Sequence, residues 1–282
     1  MIPGRRWLAA PALAALLAAA GNDSALTHYR LDGSPAWRSS LAAPLREISG
    51  IAFTSDGRLL AHGDENATIW ELSGDGRRIV KAFGPGRGGA AMRGDFEDIA
   101  IVGNRIFLVT SDGSVIETRE GLANAITPAT RISPSLGGTC EVEGLTPDTG
   151  NRALLLLCKS ARTKAWQDKV VVLALSLETG RLEPRPRMVI DGKDLERVTG
   201  VKLFNGSAIT RHPRTGTYLL LAGPQRTYAE VTASGEVLGG GRLDRGRHRQ
   251  PEGIAVAPDL TLLVSDEGGS GLATLTGYAF HP

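Results

Sequence analysis

Three glutamates occupy the same place in a recurring phrase. They are Glu97 in "FEDIA", Glu143 in "VEGL" and Glu252 in "PEGIA". Carboxylates brought to one centre repel each other unless something neutralises them. Hard oxygen donors of this kind suit Ca²⁺, with Mg²⁺ as the alternative, and waters or carbonyls would complete the shell. A softer metal would call for His or Cys at these positions, and none is there. Ser49, Glu47, Asp98 and Glu141 stand close enough in the sequence to be outer partners of such an ion. A simpler role is also open: an acid at a strand start can accept hydrogen bonds from free N–H groups of the neighbouring strand and latch the two together.

Whether the three acids meet depends on the elements that carry them. The phrase recurs five times, in "ISGIAFTSDGRLLAHGDE", "FEDIAIVGNRIFLVTSDG", "VEGLTPDTGNRALLLLCKS", "NGSAITRHPRTGTYLLLAG" and "PEGIAVAPDLTLLVSDEGG". Anchored on Gly50, Asp98, Gly144, Ser207 and Gly253, the copies lie 48, 46, 63 and 46 residues apart. Each copy runs short apolar strand, tight turn, second apolar strand, then a third and fourth strand around a Gly-rich turn. Units of this length with four short strands describe the blades of a propeller. The expected fold is therefore all-β, a five-bladed β-propeller of four-stranded antiparallel blades. Six blades is the alternative, because the 63-residue spacing could hide a degenerate unit around "MVIDGKDLERVTGVKLF". The excess is too short for a blade and reads as a long loop with an added turn. The last copy has room for about three strands, so the N-terminal segment Leu26–Ala42 is expected to complete it. In such a ring the residues before the anchors, Ser49, Glu97, Glu143, Gly206 and Glu252, face the central channel. A second set of acids, Asp64, Glu65, Asp112, Asp266 and Glu267, follows the second strands and is expected toward the opposite turn region, as ordinary solvated acids or as a polar mouth for a ligand or another ion.

The units "DFEDIAIVGNRIFLVTSD", "CEVEGLTPDTGNRALLLLCK", "SAITRHPRTGTYLLLAGPQRTYAEVTASGEVLG" and "QPEGIAV" together resemble the SdiA-regulated (YjiK-like) bacterial propellers, relatives of NHL- and TolB-type propellers. The resemblance runs from about Leu26 to Phe280. It implies a propeller in the periplasm or at the membrane, with bound calcium, and it implies no established reaction.

Length, charge and cysteine usage bound the rest. The 282 residues carry a formal charge of only +2 and no basic stripe, so nucleic acid is not an expected partner. Arg5 and Arg6 precede an uncharged run from Trp7 to Ala20, which reads as a signal peptide over residues 1–20 ahead of a single domain over 21–282. Its removal leaves 30 basic against 30 acidic residues. The expected location is periplasmic or exported; if the segment stays uncleaved, it becomes an inner-membrane anchor with the domain facing the periplasm. Export makes Cys140 and Cys158 a candidate disulfide. A turn centred near Thr149 would set Leu145 opposite Ala153 and Cys140 opposite Cys158. His62, His212 and His248 are not spaced as a metal set, and His212 before Pro213 reads as a surface turn. "FGPGRGGAAMRGDF" reads as an inter-blade loop, and "RLDRGRHRQ" as a solvated loop or an anion-docking patch. Three functions follow. The first is an exported propeller that binds calcium or another divalent cation at its channel mouth, with a small molecule or a protein as further partner and a monomer as the expected state. The second is a calcium-dependent hydrolase acting on esters, lactones or phosphoesters. The third is a pure interaction scaffold. Enzymatic activity is left open.

Overall fold

The computed structural model describes residues 24–134, 136, 138–148, 150 and 152–282. The expected signal peptide lies outside the described residues. The strands form five sheets, each built on four antiparallel strands, the five-bladed β-propeller expected from the repeats; the sheet of blade 1 is extended by Ala90–Ala91 and, in parallel, by Ile126–Thr127. Blade 1 holds Ile48–Phe53, Leu59–Gly63, Ile69–Leu72 and Ile79–Arg87. Blade 2 holds Phe96–Val102, Arg105–Thr110, Val115–Arg119 and Thr130–Ile132. Blade 3 holds Cys140–Asp148, Ala153–Ala161, Lys169–Ser176 and Met188–Asp191. Blade 4 holds Ala208–Arg211, Tyr218–Ala222, Thr227–Val231 and Val237–Arg242. Blade 5 holds Pro251–Val256, Leu262–Asp266 and Thr274–Tyr278, with Trp37–Ser40 from the N-terminal side as its outermost strand. The first strands pack on one another in cyclic order, 1-2-3-4-5 and back to 1, around a central channel.

Both faces of every blade are buried, because each sheet has a neighbour on either side. This is why the second strands read as unbroken apolar runs rather than alternating ones. In blade 3, Leu154 and Leu156 pack toward blade 2 while Leu155 and Leu157 pack toward blade 4. Five separate apolar clusters result, one at each blade interface.

The N-terminal segment does more than add a strand. Glu230, fully buried in blade 4, accepts hydrogen bonds from Ala25 N (2.8 Å), Leu26 N (3.0 Å), the Ser24 hydroxyl (2.5 Å) and the Thr217 hydroxyl (2.5 Å). Tyr29 and Leu31 then bury themselves in the blade 4–blade 5 cluster. Closure therefore has two parts, a clasp on blade 4 and a strand on blade 5.

Several local expectations need correction. The long spacing between the third and fourth units holds the eight-residue helix Gly192–Thr199, capped by the Asp191 side chain at its start and by Gly200 in the left-handed region at its end. Met188–Asp191, counted with that insertion, is the fourth strand of blade 3. The "FGPGRGG" stretch is not a loop: the fourth strand of blade 1 continues to Arg87 and folds back on Ala90–Ala91. His212 is buried, with its ring against Tyr29 and Phe280. His248 is also buried, between the Asp266 carboxylate and the Tyr278 hydroxyl (2.7 Å each). Among the described residues no helix is long and apolar enough to cross a membrane.

Candidate functional site at the acidic channel mouth

Every first strand opens with an irregularity, and this positions the site. In blade 1 the pairing steps from Ile48↔Gly63 to Gly50↔His62, leaving Ser49 as an extra residue. In blade 2 it steps from Phe96↔Thr110 to Asp98↔Val109 over Glu97. In blade 3 it steps from Val142↔Cys158 to Gly144↔Leu157 over Glu143, and in blade 5 from Pro251↔Asp266 to Gly253↔Ser265 over Glu252. In blade 4 Ser207 and Ala208 share Leu221 in the same way. A β-bulge re-aims the extra side chain and sharpens the local twist. Here it turns one side chain per blade into the channel mouth. The blade 4 member of the ring is Ser207, one residue beyond the expected Gly206, because the unit aligns on Ala208 and Ile209 rather than on Ser207.

The glycines after the bulges have a steric cause. A Cβ on Gly50 would meet Asp98 Oδ1 and His62 Nε2 at 2.6 Å, and one on Gly253 would meet Ser265 Oγ at 2.5 Å. The first strands approach too closely at this level for a side chain. Asp98 is the exception, and it performs the latch role: its oxygens accept from Ile99 N (2.8 Å) and from Leu145 N of blade 3 (2.6 Å). Burial drives its pKa up, against the pull of those two N–H groups.

The resulting cavity, about 240 Å³, is lined by Ser49, Glu97, Glu143, Ser207 and Glu252, and also by Asp64, Asp95, Lys159, Pro224 and Glu267. Six carboxylates thus face one ammonium. Asp64 and Glu267 were expected at the far end of the blades. They sit at the same mouth because, in an antiparallel pair, the second strand ends where the first begins. Asp95 and Lys159 were not foreseen. Lys159 is the extra residue of a second bulge, between Val142↔Cys158 and Glu141↔Ser160, and its ammonium pairs with Glu143.

The field is visible in the proton affinities. Burial first, then the charges of Glu143 and Asp95, pushes Glu97 up to about 8. Burial, then Glu267 and Glu143, pushes Glu252 up to about 8, and burial with Asp64 and Glu47 pushes Glu267 up to about 7. Asp64 and Glu143 are raised as well, chiefly by burial, with Lys159 pulling Glu143 back.

The remaining expected partners stand elsewhere. Glu47 contributes its backbone carbonyl to Asp64 N (3.3 Å), and Glu141 turns to Arg162 (3.2 Å) beside an adjoining groove shared with Asp112. Cys140 and Cys158 are joined as a disulfide with Cα atoms 5.5 Å apart. They are not directly opposed, however. Cys140 pairs with Ala161, Cys158 with Val142, and Leu145 with Leu156, because the turn lies later than expected; the two bulges, one on each strand, cancel in register.

A hard cation fits the chemistry of this lining, which offers carboxylate and hydroxyl oxygens and no thiol or imidazole. Among the described residues no three such groups are already gathered closely enough to hold a bare ion. The cavity is large enough for several waters, so there is room for an ion that keeps part of its water shell.

No family model matches the chain, and no curated protein matches it. Among solved structures, the glutaminyl cyclase of Myxococcus xanthus is similar at 16% identity, over 88% of this chain and 95% of that one, with a TM-score of 0.57. A glucose dehydrogenase (12% identity, 86% and 98% covered, TM-score 0.53) and the PQQ-bound aldose sugar dehydrogenase of Streptomyces coelicolor (12%, 88% and 99%, TM-score 0.51) are similar too. At these identities the likeness is one of fold, and the chain is a β-propeller.

Proposed function

We propose that this protein is an exported propeller of the SdiA-regulated type whose channel mouth binds a hard divalent cation, calcium foremost and magnesium second. One observation carries the reading. Six carboxylates from four blades line a single small cavity against one ammonium, and burial and mutual repulsion lift three of them to about 7–8. Such an arrangement is costly for the empty protein and favourable once a cation enters. Glu97, Glu143 and Glu252 would approach the ion most directly. Ser49 and Ser207 would hold its waters, with Asp64, Asp95 and Glu267 adding charge around it. Asp98 is committed to the blade latch and Glu141 to Arg162, so neither is a ligand in this reading. The activities of the similar enzymes do not carry over, because the propeller is common to them while the chemistry belongs to each site.

Calorimetric titration of chelator-stripped protein with Ca²⁺ and Mg²⁺ tests the proposal. One ion per chain, with binding weakened in Glu143→Gln and Glu252→Gln, is the expected result. Absence of heat and of any calcium-dependent rise in melting temperature would remove it.

A further inference from the structure

We propose that Lys159 is a tethered counter-ion that reserves the acidic mouth for divalent cations; the proposal rests on the cation-binding reading above. Among the described residues it is the one cationic side chain lining the cavity. Its ammonium pairs with Glu143 and lies 3.8 Å from Glu141. Its backbone is held on both sides. Cys158, the residue before it, is tied to Cys140, and the Lys159 carbonyl accepts a hydrogen bond from Asn205 Nδ2 of the next unit (3.3 Å). The bulge that expels Lys159 from the ladder faces the bulge that expels Glu143. The two irregularities therefore deliver an acid and its partner to the same opening.

A side chain fixed this way competes with dissolved ions at an effective concentration of millimolar or more. A sodium or potassium ion that displaced it would exchange one positive charge for another and gain nothing. A divalent ion adds a charge to a mouth that still carries an excess of carboxylates, so it alone has a reason to displace the ammonium. Lys159 thus raises the concentration at which the mouth fills and selects by valence.

The experiment is calcium calorimetry at fixed ionic strength on the wild type, Lys159→Met, Lys159→Gln, Lys159→Arg and Arg162→Met, with potassium or the bulky tetramethylammonium as the supporting cation. Losing a unit charge a few ångströms from a doubly charged ion is expected to tighten binding by at least about tenfold. Both neutral variants should show that gain, and in them potassium should weaken calcium binding more than tetramethylammonium does. Lys159→Arg should bind like the wild type. Arg162→Met, which removes a charge outside the cavity, should change affinity less than about threefold at moderate salt. Melting in chelator identifies which neutral variant is folded. An equal gain in Arg162→Met or in Lys159→Arg, or no gain in the folded neutral variants, would overturn the role of Lys159 and leave the cation site standing. No calcium binding in the wild type or in the neutral variants would instead remove the cation site, and this role with it.

Discussion

The acidic mouth makes a prediction about stability whose sign reverses with calcium. Glu252 has a reference pKa of 4.5 and is lifted to about 8 in the folded protein. The folded state therefore binds more protons than the unfolded state between those two values. The contribution of Glu252 is fully present below about pH 4.5 and is lost as the pH rises through about 8. The full shift would correspond to about 5 kcal/mol at 1.36 kcal/mol per unit. The mouth is open to water and its acids titrate together, so solvent screening cuts this to on the order of 1–2 kcal/mol for one side chain. Glu252→Gln deletes the charging cost while keeping the shape. In chelator at pH 8.5 it should therefore stabilise the protein, raising Tm by about 2–8 °C, since one kcal/mol moves a domain of this size by about 2–4 °C. At pH 4.5 the variant and wild type should melt together. With calcium at a hundred times its Kd, the wild type gains about 2.7 kcal/mol that the variant largely loses, and the order of melting reverses. Thermal unfolding followed by circular dichroism, at the two pH values and with and without calcium, reads all four arms. If Glu252→Gln melts no higher than wild type at pH 8.5 in chelator, the carboxylates are not electrostatically frustrated and the case for a cation fails with them.

Glu230→Gln leaves one oxygen for two of the four donors and turns an amide N–H₂ toward Leu26 N, so we expect a loss of about 1–3 kcal/mol. Faster hydrogen exchange should be confined at first to Ala25, Leu26 and the segment leading to Trp37; unchanged protection there would show that the clasp is not what holds the N-terminal segment. Reduction of Cys140–Cys158 should cost about 3 kcal/mol in the chain-entropy picture for a loop of this length. Denaturant unfolding with and without reductant measures it, and titration of the unreduced, denatured protein should find no free thiol.

Much of the fold was legible because a propeller repeats its grammar. Turn residues such as Asp56-Gly57 and Ser234-Gly235, the paired apolar strands, and the short fifth unit all mark blades and their closure. The helix Gly192–Thr199 is hard to read from sequence because eight residues hold only two large apolar side chains, Leu195 and Val198, too few to establish a helical period. At the site, three of the ring positions were readable from the phrase before Gly or Asp, but the bulges were not. A bulge adds one residue without leaving a composition signal, and a single added residue exchanges the faces of a strand. A turn later than expected undid the opposition of Cys140 and Cys158, while the bulges at Glu143 and Lys159, one on each strand, cancel; the hidden bulge in blade 4 moved the ring position from Gly206 to Ser207. Lys159 was missed for the same reason: in "LLLLCKS" it reads as the polar end of a strand. The placement of Asp64 and Glu267 needed only antiparallel geometry, which brings the end of the second strand back beside the start of the first.

The two-part closure has a consequence for how the molecule comes into being. Trp37–Ser40 pairs with Thr274–Tyr278, and the Ser24–Leu26 clasp needs Glu230. The residues that finish the ring are thus made before blades 1 to 4, and their partner strand is made after them. During synthesis the early segment has nothing to bind, so blades 1 to 3 can assemble while the ring stays open at both edges. Final closure must wait for blade 5 and brings together residues more than 200 positions apart. Contacts so distant in sequence form slowly. Until they form, the outer edge of blade 5 presents unpaired backbone groups that another copy of the chain could capture. A propeller fastened in this way can close only once its last blade has been made.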